Sequence, residues 1–123
     1  MRVISGKYRG KRLNSPIGND IRPTGDKFKE SIFNAIQFDI AGSRFLDLFA
    51  GSGSIGIEAM SRGAEFTLFS DSSKASIELL NTNLKGISDD RKIVNRDYRD
   101  ALYCADGKWD FIFVDPPYKS DYI

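Results

Sequence analysis

Gly51-Ser52-Gly53-Ser54-Ile55-Gly56 spells G-x-G-x-x-G between a run that reads as a strand and one that reads as a helix. Glycines there let the backbone turn tightly and let a ligand approach the main chain. The helix start behind them presents unpaired N–H groups. In that setting the string is a signal for a nucleotide cofactor. Asp71 ends the next apolar run, at the height where a ribose diol would meet a carboxylate. A dinucleotide and S-adenosylmethionine both fit this outline. Asp47, four residues before Gly51, favours the second. A carboxylate there can accept a hydrogen bond from an ammonium, directly or through water, and would repel a pyrophosphate. Its bland alternative is a strand-end carboxylate that caps loop amides.

Asp115-Pro116-Pro117-Tyr118 follows a second apolar run, so it falls at the edge of a sheet where ligands bind in open α/β folds. The prolines stiffen the turn and have no N–H, which leaves their carbonyls free as acceptors. Asp115 adds a carboxylate and Tyr118 a face for stacking. Together they suit an exocyclic amine on a planar base. The chain has no His and one Cys, which excludes zinc sites, Ser-His and Cys-His nucleophiles, and an internal disulfide framework. No metal is expected. A lone Cys fits a reducing compartment, and the expected location is the cytoplasm.

These groups need elements to position them. With 123 residues, 41% of them hydrophobic, the chain has the size of one packed domain. No apolar run approaches the roughly 18–20 residues of a membrane span. Helical spacing starts at Asp26, with Asp26 or Thr24 as the cap, and stops before Gly42. Strands are predicted at 44–49, 66–69, 92–94 and 109–114, with helices at 54–62, 73–85 and 98–105 between them. Ser72 or Ser73 would cap the third helix. Alternation of this kind means βαβ units and a parallel α/β sheet.

Ahead of the sheet lies a basic arm. Residues 1–30 hold eight basic side chains and three acidic ones, and the remainder ten basic and fourteen acidic. Such an imbalance suggests a polyanionic partner, though a solubilising surface is the plainer reading. Val3 to Leu13 reads as a small hairpin, and residues 14–24 as a linker.

MRVISGKYRGKRL, IRPTGDKFKESIFNAI, LDLFAGSGSIGIEAMSRGA and VDPPY together resemble the bacterial small-subunit ribosomal RNA guanine-N2 methyltransferases, along the entire chain. The resemblance implies a Rossmann-like, S-adenosylmethionine-dependent methyltransferase sheet with an N-terminal β-hairpin extension. It implies residues 1–25 as arm and linker, and 26–123 as a C-terminally incomplete methyltransferase domain. Asp47, Gly51 and Gly53 would line the methionine end of the cofactor, Phe49 would join the cofactor site, and Asp97 would meet the adenine amine. Asp115, Pro116, Pro117 and Tyr118 would hold the target guanine as catalytic residues. Arg2, Lys7, Arg9, Lys11, Arg12, Arg22 and Thr24 would contact RNA, as naked ribosomal RNA or a small-subunit assembly particle. The family's ribose-binding glutamate falls on Ser70 here, so that role passes to Ser70 or Asp71.

Four strands in the family's order 3-2-1-4-5-7-6 would leave the fourth with an open apolar edge, from Phe111 to Val114, inviting self-association. Three other readings compete: a truncated, inactive cofactor- or RNA-binding fragment, a DNA adenine-N6 methyltransferase, and an NAD-dependent oxidoreductase. The basic opening argues against the DNA enzyme. Asp47 and the Pro-Pro turn argue against the oxidoreductase.

Overall fold

The computed structural model describes residues 1–15, 25–105 and 107–116. Pro117, Tyr118, Arg22, Thr24 and most of the predicted linker lie outside them. Four short apolar runs form one parallel sheet: β1 (Arg44–Asp47), β2 (Phe66–Ser70), β3 (Arg91–Val94) and β4 (Phe111–Phe113), in the order β3-β2-β1-β4. Helices α1 (Asp26–Ala35), α2 (Ser54–Ser61), α3 (Lys74–Asn83) and α4 (Tyr98–Cys104) alternate with them. Asp47 pairs with Phe69 on one side and Phe113 on the other, so the sheet's C-terminal edge falls at the glycine loop.

Period-2 side chains divide the core. Phe45 packs with Phe33, Ile40 and Ile55, and Phe69 with Ile57, Met60 and Leu80. Leu46 and Leu68 face the opposite layer, with Val94 and Ala101 of α4. Gly56 serves this packing directly: a Cβ on it would lie 2.2 Å from the Phe69 ring.

Several boundaries move. β1 ends at Asp47 rather than Phe49, because the chain already bends into the glycine loop; past it Leu48 N still donates to Phe113 O at 3.1 Å and Ala50 N to Ser70 O at 2.8 Å. β4 covers 111–113 rather than 109–114. The N-cap of α1 is Gly25, with no side-chain cap bond, and Asp26 is its first helical residue. A negative charge there still suits the first turn. Ser73 does cap α3, accepting from Ser76 N at 3.3 Å.

The arm is a narrow hairpin closed by an antiparallel bridge between Arg2 and Arg12. Val3 N donates to Lys11 O at 2.9 Å and Leu13 N to Met1 O at 2.9 Å. Val3 and Leu13 are buried in the same cluster as Ile57 and Leu80. The hairpin therefore lies on α2, every residue of which is buried. Gly6 makes the close approach possible. Its φ is 91°, and a Cβ would meet Ser61 O at 1.9 Å. Lys7 N donates to that Ser61 carbonyl at 2.9 Å, satisfying one of the carbonyls a helix end leaves orphaned.

The β4 edge is less apolar than the composition of the strand suggests. Phe111 and Phe113 turn into the Phe33–Phe45 cluster and Trp109 into the other layer. Ile112 and Val114 are the side chains left about half exposed.

Candidate active site

Asp47 is 1% exposed at the end of the central strand. Its Oδ2 accepts from Gly56 N, in the first turn of α2, at 3.2 Å. That is the capping role of a strand-end carboxylate. Its Oδ1 is buried and has no hydrogen-bond partner among the described residues. Burial pushes the Asp47 carboxyl up to about 7; the Gly56 bond opposes this, and the charges of Asp71 and Asp115 add to it. Three carboxylates thus converge on the C-terminal edge of the sheet, one from each of β1, β2 and the β4 turn.

The glycine loop is built around them. Gly51 has φ 55° and Gly53 φ 85°, so both sit in left-handed backbone that other residues avoid. Gly51 N donates to Asp71 Oδ2 at 2.8 Å, and Gly53 N to Ala50 O at 2.8 Å. The other Asp71 oxygen accepts from Ser73 N at 2.9 Å. Asp71 is partly exposed, whereas Ser70 is fully enclosed with its hydroxyl unpartnered among the described residues. Of the two ribose candidates, only Asp71 is open to solvent, and both its oxygens accept from backbone amides. Gly53 is the N-cap of α2 and offers no side-chain cap; of the first-turn N–H groups, that of Gly56 goes to Asp47.

Phe49 stacks at a tilt on Tyr98, with ring centroids 5.6 Å apart. Asp97 is the N-cap of α4 and accepts from Arg99 N at 3.2 Å and Arg99 Nε at 2.9 Å. The Arg99 hydrogen bond holds its carboxyl below the usual range. Asp115 is exposed beside Pro116. Their neighbours Pro117 and Tyr118 lie outside the described residues, as do Arg22 and Thr24.

The five described RNA candidates divide into two groups. Lys7 pairs with Asp89, which also accepts from the Tyr8 hydroxyl, and Lys11 Nζ donates to Lys85 O at 3.0 Å. Both lysines fasten the hairpin to the α3–β3 region. Arg2, Arg9 and Arg12 are exposed, and their side chains make no bond among the described residues. Arg2 and Arg12 stand directly opposite each other and line one cavity with Met1, Asn14 and Asp26.

Sequence reasoning missed three buried polar residues. Glu58 on α2 accepts from Ile4 N at 2.9 Å, Ser5 N at 3.1 Å and Arg62 Nε at 2.8 Å, and pairs with Lys29 Nζ at 3.5 Å. Lys29 Nζ also donates to Arg2 O at 2.7 Å and Ser54 Oγ at 2.9 Å. Asn83 joins the hairpin to the loop from α3. The available signal was Glu58 as the one charged residue of α2, with Arg62 four residues on.

The family model described as Conserved hypothetical protein 95 matches residues 1–123. The Bacillus subtilis protein YlbH is 45% identical, over 98% of this chain and 68% of its own length. Ribosomal RNA small subunit methyltransferase D of Haemophilus influenzae is 37% identical, over 96% of this chain and 64% of its own. The solved structure of Escherichia coli yhhF superposes with a TM-score of 0.87 at 33% identity, covering all of this chain and 67% of that one. The chain thus spans about two thirds of the relatives it matches. Among the described residues no helix is long and apolar enough to cross a membrane.

Proposed function

The chain belongs to the Conserved hypothetical protein 95 family, and from that membership we propose that it carries the cofactor- and RNA-binding portion of an S-adenosylmethionine-dependent ribosomal RNA methyltransferase. The target we propose is the N2 amine of a guanine in small-subunit RNA. The observation that carries the reading is Asp47 Oδ1, a buried carboxylate oxygen with no donor among the described residues, at the foot of a glycine loop. A cationic donor, such as the ammonium of a methionine moiety, fits it; a pyrophosphate does not. The name of the Haemophilus influenzae relative supports the RNA class.

In this reading Asp47, Phe49, Gly51 and Gly53 hold the methionine end, Asp71 the ribose and Asp97 the adenine amine. The cofactor supplies an electrophilic methyl group. The residues' task is aim. Asp115 and the Pro116 carbonyl accept the N–H groups of the target amine, which draws its lone pair out of conjugation with the ring. Pro117 stiffens the turn and Tyr118 stacks on the flipped-out base. The departing proton passes to Asp115 or water. Arg2, Arg9 and Arg12 grip phosphates, aided by Arg22 and Thr24, while Lys7 and Lys11 hold the hairpin in place. The exposed Ile112 and Val114 edge supports pairing of β4 with another strand, including one from a second copy.

Calorimetric titration with S-adenosylmethionine, its demethylated product and NAD tests the cofactor. Heat is expected for the two sulfur compounds only, and NAD binding instead would sink the reading. Transfer of a tritiated methyl group to small-subunit RNA, naked and in assembly particles, tests the substrate.

A further inference from the structure

Asn83, the last residue of α3, is 3% exposed and uses both its amide donors and its carbonyl. Its Oδ1 accepts from Asn14 N at 2.8 Å, and its Nδ2 donates to Asn14 O at 3.2 Å. The amide thus pairs with the hairpin backbone as a neighbouring strand would. Its second amide hydrogen goes to Ser52 O at 2.8 Å. Flipping the amide would set donors against a donor and the oxygen against two carbonyls, so the network itself assigns the orientation.

Ser52 stands between the two left-handed glycines of the cofactor loop. Holding its carbonyl fixes the plane of the Ser52–Gly53 peptide, whose N–H goes to Ala50 O at 2.8 Å. A parallel bridge runs two residues on, where Lys29 Nζ joins Arg2 O to Ser54 Oγ. Met1 Sδ adds a third contact, 4.0 Å from Ser52 Oγ. Both strands of the hairpin are therefore tied to the loop by buried side chains. A fully bonded buried amide specifies one arrangement, where an apolar residue would tolerate several.

We propose that Asn83 is a positioning residue that makes the docked hairpin part of the cofactor loop's support, so that RNA on the hairpin and cofactor in the loop strengthen each other's binding. The proposal rests on the functional reading above. RNA held by Arg2 and Arg12 favours the docked hairpin, and the docked hairpin presents an ordered loop. By linkage the cofactor strengthens RNA binding by the same factor.

The test uses the full chain, S-adenosylmethionine, and a mixed-sequence oligoribonucleotide at low salt. Saturating RNA should lower the cofactor Kd by about 5-fold or more in the unaltered protein, the lower end of ordinary coupling. Asn83→Leu should weaken RNA-free cofactor binding by roughly 10-fold, the scale of one lost hydrogen bond. It should also bring the coupling factor close to one. Asn83→Asp keeps the acceptor for Asn14 N and sets a charge against Ser52 O; it should lose coupling in the same way and serves if the Leu variant does not fold. Asp89→Asn weakens the ties of the hairpin tip at Lys7 and Tyr8 and leaves in place the Asn83 and Lys29 bridges that seat the hairpin against the loop. It should lower thermal stability yet leave RNA-free cofactor affinity within about 2-fold. Coupling that survives in both Asn83 variants overturns the proposal, as does an Asp89 variant that weakens cofactor as much as Asn83→Leu. An unaltered protein that binds cofactor and RNA independently also overturns it. Failure to bind either ligand overturns the functional reading instead.

Discussion

Glu58→Gln is the sharpest perturbation of how the hairpin is held. All four partners of this carboxylate are donors: two backbone amides of the hairpin, the Arg62 guanidinium and the Lys29 ammonium. Gln has the same shape but offers one acceptor oxygen and turns an NH2 toward the remaining donors. At least one hairpin amide or the guanidinium then faces a donor, at about 1–3 kcal/mol for a buried group left unsatisfied. Lys29, fully buried, loses its counter-charge. Breaking a buried ion pair from one side costs roughly 3–5 kcal/mol, so about that loss is expected from a total of about 5–15 kcal/mol. Urea unfolding, read as the shift in midpoint at constant slope, measures it. Lys29→Met closes a double-mutant cycle; the double variant should cost less than the two singles together by about 1–3 kcal/mol. Burial already lowers the Lys29 pKa, so the folded chain binds fewer protons there than the unfolded one as pH approaches the lysine's ordinary value. Stability from this group therefore rises with pH, and the Glu58→Gln defect should shrink as pH climbs toward the lysine's ordinary value. A loss under about 1 kcal/mol, or strict additivity with Lys29→Met, would refute the network as the hairpin's anchor.

Three further outcomes are expected. Asp47 keeps its proton up to about pH 7 in the folded chain but loses it near 3.8 when unfolded, so its contribution to stability falls as pH rises through that window; Asp47→Asn should remove this slope in urea melts near pH 5 and pH 8. Gly6→Ala forces a Cβ against Ser61 O at a positive φ, and strain of about 1–3 kcal/mol from the backbone alone should appear as lost hydrogen-exchange protection of the Val3 and Leu13 amides. Replacing Arg2, Arg9 and Arg12 together with Ala should reduce the log–log salt slope of RNA binding by up to about 2–3, whereas Lys7→Ala with Lys11→Ala should chiefly lower Tm; equal slopes for both sets would return the arm to a solvated surface.

The order of elements was legible because it rests on local patterns. Alternating apolar runs, the glycines at 51, 53, 56, 63 and 86, and Ser73 before a helical run act within a few residues of themselves, and they placed four strands and four helices. The parallel order β3-β2-β1-β4 matches the first part of the order that the family resemblance implied, which the local patterns alone did not fix. Asp47 and Asp71 were legible as candidates because a loop of this kind has only so many carboxylates beside it.

What tertiary structure decided was which polar groups lose water, and against what. Glu58 meets residues 53 and 54 positions away, and Asn83 residues 31 and 69 away. In the sequence these are an ordinary helix glutamate and an ordinary helix asparagine. The same distance effect split the arm's cations into two anchoring lysines and three open arginines, sent Phe111 and Phe113 inward, and enclosed Ser70. Periodicity tells which face of an element is apolar, but desolvation depends on the element that comes to cover it. A hydrogen bond or charge becomes decisive only where that cover excludes water.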